Sequence, residues 1–266
     1  MIDNYSKRFE FEYNPFQKET DKFFIETQNY KELVMNLNYV IKTKGIGVVV
    51  GDPGTGKTSA TKSFIQSLPR NLYKPIYTTM STLTVREFYY ELGRKFGITE
   101  VYTKVALINE IKNQIVSYHD TKKIVPVIVI DEANYLSNAI LNDLKMLLNF
   151  NMDSENKAIL ILIGLPNLTS TLELAIHQPL NQRISSKAIF EPMSQNEAKN
   201  YIETKIEKAG SNLSYFDPEA IEATINGGKG IPRIIDRIMD KSLMLADNME
   251  MNRITLELVK KVIQTL

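Results

Sequence analysis

One octet of the 266-residue sequence, GDPGTGKT at positions 51–58, restricts the fold more than any other stretch. It fits the pattern G-x4-G-K-[ST], in which glycines allow a tight turn and backbone N–H groups converge on a phosphate. Three valines, Val48 to Val50, precede the octet, and the helix-forming segment KTSATKSF completes and follows it. A buried strand, a glycine-rich turn and a helix are therefore predicted in that order.

The residue types of this octet predict the contacts of a nucleotide. The Lys57 ammonium is expected to reach the β- and γ-phosphates, and the Thr58 hydroxyl is expected to ligate Mg²⁺. The positive end of the dipole of the following helix adds to the attraction for phosphate. The predicted ATP-binding residues of this loop are Gly51, Asp52, Pro53, Gly54, Thr55, Gly56, Lys57, Thr58 and Ser59.

A second motif is the segment VPVIVIDEAN at positions 125–134. Asp131 follows an apolar strand and lies at the carboxyl edge of the predicted sheet, where parallel sheets bind their ligands. A carboxylate there can support Mg²⁺, and Glu132 can orient and deprotonate the attacking water. The alternative is that Asp131 and Glu132 are only an acidic pair at the start of a helix, without a catalytic role. The two motifs in this order predict that the chain binds and hydrolyses ATP.

Composition excludes several other kinds of site. There is no cysteine, so disulfides, thiolate metal sites and cysteine nucleophiles are absent. A formal net charge of +1 gives no basic field over the whole molecule, so nucleic acid would have to bind a local patch. The longest apolar runs are too short to span a bilayer, and the N-terminus lacks a signal-peptide core. These features indicate a cytoplasmic protein with no membrane partner.

Strands and helices alternate as far as the segment SKAIF at 186–190, and only helices are predicted after Pro192. Such alternation is typical of an α/β fold with a parallel sheet that helices cover on both faces. We predict three parts, which are an N-terminal arm packed on the core (1–30), an α/β nucleotide-binding core (31–191) and a small all-helical lid (192–266).

Other segments resemble the ExeA-like group of AAA+ ATPases. A strand ending in IGLPNL, the segment LNQRI after it and GIPR at 230–233 follow one another as in that group, and NPF near the N-terminus is similar too. The resemblance covers nearly the whole chain and implies the AAA+ form of the P-loop NTPase fold. It implies that Arg183 is an arginine finger reaching a neighbour's site, and that Arg233 is sensor 2 over its own nucleotide. A surface ion pair is the alternative for each arginine.

One position departs from the pattern of that group. Sensor 1, usually a polar residue at the end of the fourth strand, falls at Gly164. Asn167, three residues further on, is the candidate replacement and is included among the predicted ATP-binding residues. The missing polar side chain at Gly164 predicts slow hydrolysis, which suits a timer better than a motor.

The resemblance implies two kinds of function. The group contains secretion ATPases and transposition helpers of the TniB and TnsC type, with MuB and IstB as more distant relatives. Because the sequence ends directly after a lid helix, without the extension of the secretion members, the helper function is favoured. Such a helper would oligomerise with ATP on double-stranded DNA, as a ring or a helical filament, and recruit or stimulate a transposase. The alternatives are a secretion or assembly ATPase acting on protein partners, and a protein-only loader or signalling ATPase.

By the same resemblance, DNA contacts are expected after the second strand, in the polar and then basic segment TTMSTLTVREFYYELGRKFGITEVYTK at 78–104. Hydroxyl and cationic side chains suit contacts with phosphate, which position a protein without discriminating sequence. The candidates are Thr82, Thr84, Arg86 and Lys104. The alternative is that Thr84 is a helix N-cap and Arg86 a solvated helix residue.

Overall fold

The structure, a computed structural model, describes residues 4–17, 24–79, 84–101, 103–150 and 155–266. The chain divides into two compact units. The α/β unit comprises residues 28–53 and 57–190, and the helical unit comprises the described residues of 1–27 together with 54–56 and 191–266. Within the described ranges, no helix combines the length and the apolar composition that a bilayer crossing requires.

A five-stranded parallel sheet forms the centre of the α/β unit. Its strands are β1 (Ile46–Gly51), β2 (Tyr73–Thr79), β3 (Val125–Asp131), β4 (Ile159–Gly164) and β5 (Ile184–Phe190), in the order β2-β3-β4-β1-β5. Strands β1 and β4 are buried throughout, as expected where helices cover both faces of a sheet. This order places the carboxyl end of β4 between those of β3 and β1.

Seven helices belong to the described part of this unit. They are α2 (Gln28–Thr43), α3 (Lys57–Ser67), α4 (Val85–Phe96), α5 (Lys104–Val116), α6 (Asn138–Leu147), α7 (Asn167–Leu172) and α8 (Gln178–Asn181). Hydroxyl side chains set several of the helix starts, because Thr84, Thr103 and Ser137 each accept a hydrogen bond from a backbone N–H of the first turn. The short helices α7 and α8 were not predicted from the sequence.

The helical unit consists of α1 (Asn4–Arg8), α9 (Gln195–Lys208), α10 (Pro218–Gly228), α11 (Pro232–Asn248) and α12 (Leu256–Gln264). The last four are the helices that the sequence predicts after Pro192. Their apolar faces enclose a core that includes Ile202, Ile235 and Val259, all fully buried.

The N-terminal arm differs from its expected position on the α/β core. Phe9, Phe11 and Phe16 are buried in the core of the helical unit. Polar contacts reinforce this packing, since Arg8 Nε lies 2.8 Å from Asp247 Oδ1. The sequence did not predict this partner, because alternating charges and aromatic residues do not indicate which apolar surface will receive the rings.

Candidate nucleotide site

The loop between β1 and α3 has the backbone of a phosphate-binding turn. Gly54 and Gly56 have φ angles of 86° and 95°, a left-handed conformation that only glycine adopts at little cost. The helix that follows begins at Lys57. Backbone N–H groups at a helix N-terminus, and the positive end of its dipole, attract phosphate. The strand, glycine-rich turn and helix occur in the order that the sequence predicts.

The Lys57 ammonium lies inside this loop. Its Nζ donates hydrogen bonds to the carbonyl oxygens of Gly51 and Asp52, each over 2.7 Å, and the residue is only 8% exposed. These bonds fix the cation in the phosphate-binding turn. A phosphate oxygen that enters the turn can accept a charge-assisted hydrogen bond from the same group.

Thr58 and Asp131 meet although 73 positions separate them in the sequence. Thr58 Oγ1, in the first turn of α3, donates to Asp131 Oδ2 over 2.9 Å at the carboxyl end of β3. Asp131 is 5% exposed. A hydroxyl and a carboxylate supply the hard oxygen ligands that Mg²⁺ prefers. The two side chains predicted for the metal are therefore adjacent and chemically suited to hold it.

Tyr77 is a third residue at this carboxylate, and sequence reasoning missed it. Its hydroxyl donates to Asp131 Oδ2 over 2.6 Å. Thr79 pairs with Asp131 between β2 and β3, and Tyr77 shares a face with Thr79 because side chains alternate along a strand. Burial, and then the neighbouring Asp131, raise the pKa of the Tyr77 hydroxyl. Like any phenol, it is a proton donor at neutral pH.

Glu132 occupies an unusual turn directly after β3. Its φ of 57° is left-handed, which costs a residue other than glycine about 1–3 kcal/mol. Its N–H donates to Asp131 Oδ1 over 2.9 Å, while the residue itself is exposed. An exposed carboxylate next to the predicted Mg²⁺ position has the access to water that the predicted role as a base requires.

The end of β4 is too tightly packed for the side chain expected at sensor 1. A Cβ on Gly164 would lie 2.9 Å from Leu168 Cδ2 and 3.0 Å from Asn134 Oδ1. Asn134 Oδ1 also accepts the N–H of Leu165 over 3.0 Å. Asn134 therefore brings an amide to the end of β4, whereas Asn167, the predicted replacement, is exposed at the start of α7.

We expect Gly164→Ala to lower the free energy of unfolding by about 1–3 kcal/mol, because the added methyl group overpacks this position. The Asn134 backbone nitrogen would lie 3.2 Å from the new Cβ, so relief requires a backbone movement. Urea unfolding followed by circular dichroism measures the loss. Gly93→Ala in α4 is the control, because its nearest atom is the flexible Leu107 Cδ2 at 3.2 Å. An equal effect of both substitutions would contradict the packing explanation.

Arg183 lies at the amino ends of the strands, opposite the carboxyl ends that carry the phosphate-binding turn and Asp131. It directly precedes β5, and its Nη1 donates to the carbonyl oxygen of Lys145 over 3.4 Å at the end of α6. Burial lowers the pKa of its guanidinium. Because all five strands run in the same direction, the length of a strand, roughly 20 Å, separates Arg183 from the phosphate-binding turn of its own chain. A role in catalysis would therefore have to be exerted on another copy.

Arg233 lies in the first turn of α11. Its N–H donates to the carbonyl oxygen of Gly54 over 3.3 Å, and both residues belong to the helical unit. A Cβ on Gly54 would lie 2.9 Å from the Arg233 Cβ, so the absence of a side chain permits this approach. The role of Arg233 as sensor 2 remains a prediction.

The residues predicted to contact DNA have other partners where the structure describes them. Thr84 and Glu87 form a capping box at the start of α4, as the alternative interpretation expects. Lys104 Nζ lies 2.6 Å from Asp143 Oδ2. Arg86 is exposed on α4, and Thr82 lies outside the described residues.

Comparison with known proteins agrees with the fold and with the nucleotide motifs. The family model described as an AAA domain matches residues 40–172, half of the 266-residue chain. The chain belongs to the AAA domain family. The match runs from the end of α2 to the end of α7 and includes both nucleotide motifs of this AAA protein.

Two curated relatives of this AAA protein have different roles. It is 28% identical over 230 residues to general secretion pathway protein A of Aeromonas hydrophila, and the aligned region covers 85% of this chain and 41% of that protein. It is 30% identical over 125 residues to ATP-dependent target DNA activator B of Escherichia phage Mu, and the aligned region covers 47% of this chain and 38% of that protein. The chain thus spans less than half the length of either relative. The predicted resemblance to ExeA-like AAA+ ATPases and transposition helpers is confirmed.

A solved structure shares the fold of the AAA protein. Cdc6p from Pyrobaculum aerophilum superposes with a TM-score of 0.71 at 15% sequence identity, over 91% of this chain and 69% of that one. At this identity the likeness is one of fold. The predicted fold, a parallel α/β sheet followed by a helical region, is confirmed.

Proposed function

We propose that this AAA protein is a cytoplasmic ATPase that uses ATP to oligomerise on double-stranded DNA and to recruit or stimulate a transposase. The hydrogen bond between Thr58 Oγ1 and Asp131 Oδ2, 2.9 Å long, supports the ATPase part most directly. It joins the two nucleotide motifs in one site. The likeness to the Mu target DNA activator supports the DNA part.

In the proposed site, Lys57 and the backbone of residues 51–56 would bind the phosphates of ATP. Thr58 and Asp131 would hold Mg²⁺, which when bound neutralises charge that develops on the phosphates. Arg233 would couple the helical unit to the bound nucleotide. The exposed Ser59 and Asn167 complete the set of residues proposed to contact ATP.

Hydrolysis would use a water molecule oriented by the Glu132 carboxylate. The water oxygen forms a bond to the γ-phosphorus, the bond to the β,γ-bridging oxygen breaks to leave ADP, and the water proton passes to Glu132. Arg183 of a neighbouring copy would stabilise charge on the transferred phosphoryl group. The crowded end of β4 at Gly164 is consistent with slow turnover.

DNA binding would depend on phosphate contacts and would be largely independent of sequence. Arg86 is exposed and would contact a phosphate, and Lys104 would do so by exchanging its carboxylate partner Asp143. Thr82 and Thr84 remain proposed contacts. Release of counterions would make the affinity fall steeply as salt concentration rises.

Fluorescence anisotropy with a duplex of random sequence tests this proposal. Binding is measured with ATP, with ADP and without nucleotide, for the wild type, for Glu132→Gln and for the control Glu222→Gln, which is exposed on α10 and lies outside the proposed DNA contacts. We expect tight binding to DNA with ATP but not with ADP or without nucleotide, and a longer-lived complex for Glu132→Gln. Negative-stain images should show rings or filaments on DNA. Intact ATP binding without DNA binding in any nucleotide state would contradict the DNA role.

A secretion or assembly ATPase is the second candidate, because the secretion relative matches 85% of this chain. In that case the partners would be proteins, and ATP would drive assembly whether or not DNA is present. Oligomers that form with ATP alone, and that duplex DNA neither stabilises nor joins, would favour this alternative.

A further inference from the structure

We propose that Tyr77 is a positioning residue for the metal-binding carboxylate of the ATP site, acting through a hydrogen bond to Asp131. This role rests on the proposed ATPase function and extends it to a residue outside both nucleotide motifs. Tyr77 would not touch the nucleotide or the ion. It would hold Asp131 in the orientation in which Thr58 and the carboxylate receive Mg²⁺ together.

Both oxygens of the Asp131 carboxylate are held by hydrogen bonds. Oδ2 accepts from Thr58 Oγ1 over 2.9 Å and from the Tyr77 hydroxyl over 2.6 Å. Oδ1 accepts from the Glu132 N–H over 2.9 Å. Two of these three donors belong to residues with predicted roles of their own, whereas Tyr77 contributes only its hydroxyl.

The strand that carries Tyr77 gives this hydrogen bond a fixed geometry. Strand β2 pairs with β3 over its whole length, from Tyr73 opposite Val125 to Thr79 opposite Asp131. The phenol therefore approaches the carboxylate from a neighbouring strand and not from a loop.

Hydrogen bonds to a ligating carboxylate fix its orientation, and losing such a partner typically costs 10–100-fold in metal affinity. Thr58 itself would be a ligand of Mg²⁺. Of the two bonds to Oδ2 among the described residues, the bond from Tyr77 is therefore independent of the metal ligands. Tyr77 is 38% exposed, so the loss of its hydroxyl should perturb the core little.

The test uses Tyr77→Phe, which removes the hydroxyl and keeps the ring. Binding of the fluorescent analogue mant-ATP is titrated first in EDTA and then with increasing Mg²⁺. We expect unchanged affinity in EDTA and a roughly tenfold rise in the Mg²⁺ concentration that gives half of the metal-dependent gain in affinity. The matched control is Tyr73→Phe, at the other end of the same strand.

Three results would overturn the role of Tyr77. The first is a Mg²⁺ response of Tyr77→Phe equal to that of the wild type. The second is a stronger Mg²⁺ response, which would show that the hydroxyl competes with the ion. The third is a loss of affinity in EDTA as large as the loss with Mg²⁺, which would indicate a general distortion. A wild-type protein that binds no mant-ATP in either condition would overturn the proposed ATPase function as well. The two failures are therefore distinguishable.

Discussion

Lys57→Ala is expected to weaken ATP binding by roughly 30-fold to more than 1,000-fold. The Lys57 ammonium is buried and held by the carbonyl oxygens of Gly51 and Asp52 at 2.7 Å, inside the phosphate-binding turn. Truncating one partner of a buried, hydrogen-bonded charge pair costs about 2–5 kcal/mol, and each 1.4 kcal/mol is about tenfold in affinity. Isothermal titration calorimetry with ATP and Mg²⁺ measures the change.

Lys62→Ala is the control for this measurement, because Lys62 is an exposed lysine on the same helix, α3. It should bind ATP like the wild type. Circular dichroism spectra of both variants establish that they are folded. Tight ATP binding by folded Lys57→Ala would refute the assignment of the 51–58 turn as the phosphate site.

Glu132→Gln should lower the rate of ATP hydrolysis by about 100- to 10,000-fold while ATP affinity changes little. The amide has nearly the shape of the carboxylate but cannot take a proton from water. Because the left-handed backbone at this position is the same for both side chains, the turn after β3 should be retained. Phosphate release in a single turnover, with protein in excess of ATP, isolates the chemical step.

The exposed residue Glu100, remote in sequence from both motifs, supplies the matched control, since Glu100→Gln removes the same charge. Its rate should equal that of the wild type. If Glu132→Gln also hydrolysed ATP at the wild-type rate, a different residue would have to activate the water.

Much of the fold could be predicted because its signals are local in the sequence. The apolar runs of β1, β3 and β4 are continuous, as buried parallel strands require. Glycine-rich and acidic motifs at the ends of β1 and β3 then indicate the carboxyl edge of the sheet. Each motif is one continuous stretch of sequence at the carboxyl end of a strand. Once the parallel sheet is predicted, the proximity of Thr58 and Asp131 follows from it.

The residues that were missed depend on pairings between distant segments. Tyr77 reaches Asp131 only because β2 and β3 pair with a particular register, which no local pattern indicates. Asn134 reaches the end of β4 through a turn that folds back on Gly164. Likewise, Phe9 and the rings near it belong to the helical core, although their own sequence does not indicate which surface receives them.

The left-handed backbone of Glu132 sets thermal stability against the proposed ATPase activity. Glycine adopts this conformation at little cost, so Glu132→Gly would relieve strain and yield a net gain in stability on the order of 1 kcal/mol. The same change removes the carboxylate. Selection of libraries for survival at high temperature, without a parallel selection for turnover, would therefore enrich variants that have lost the proposed base.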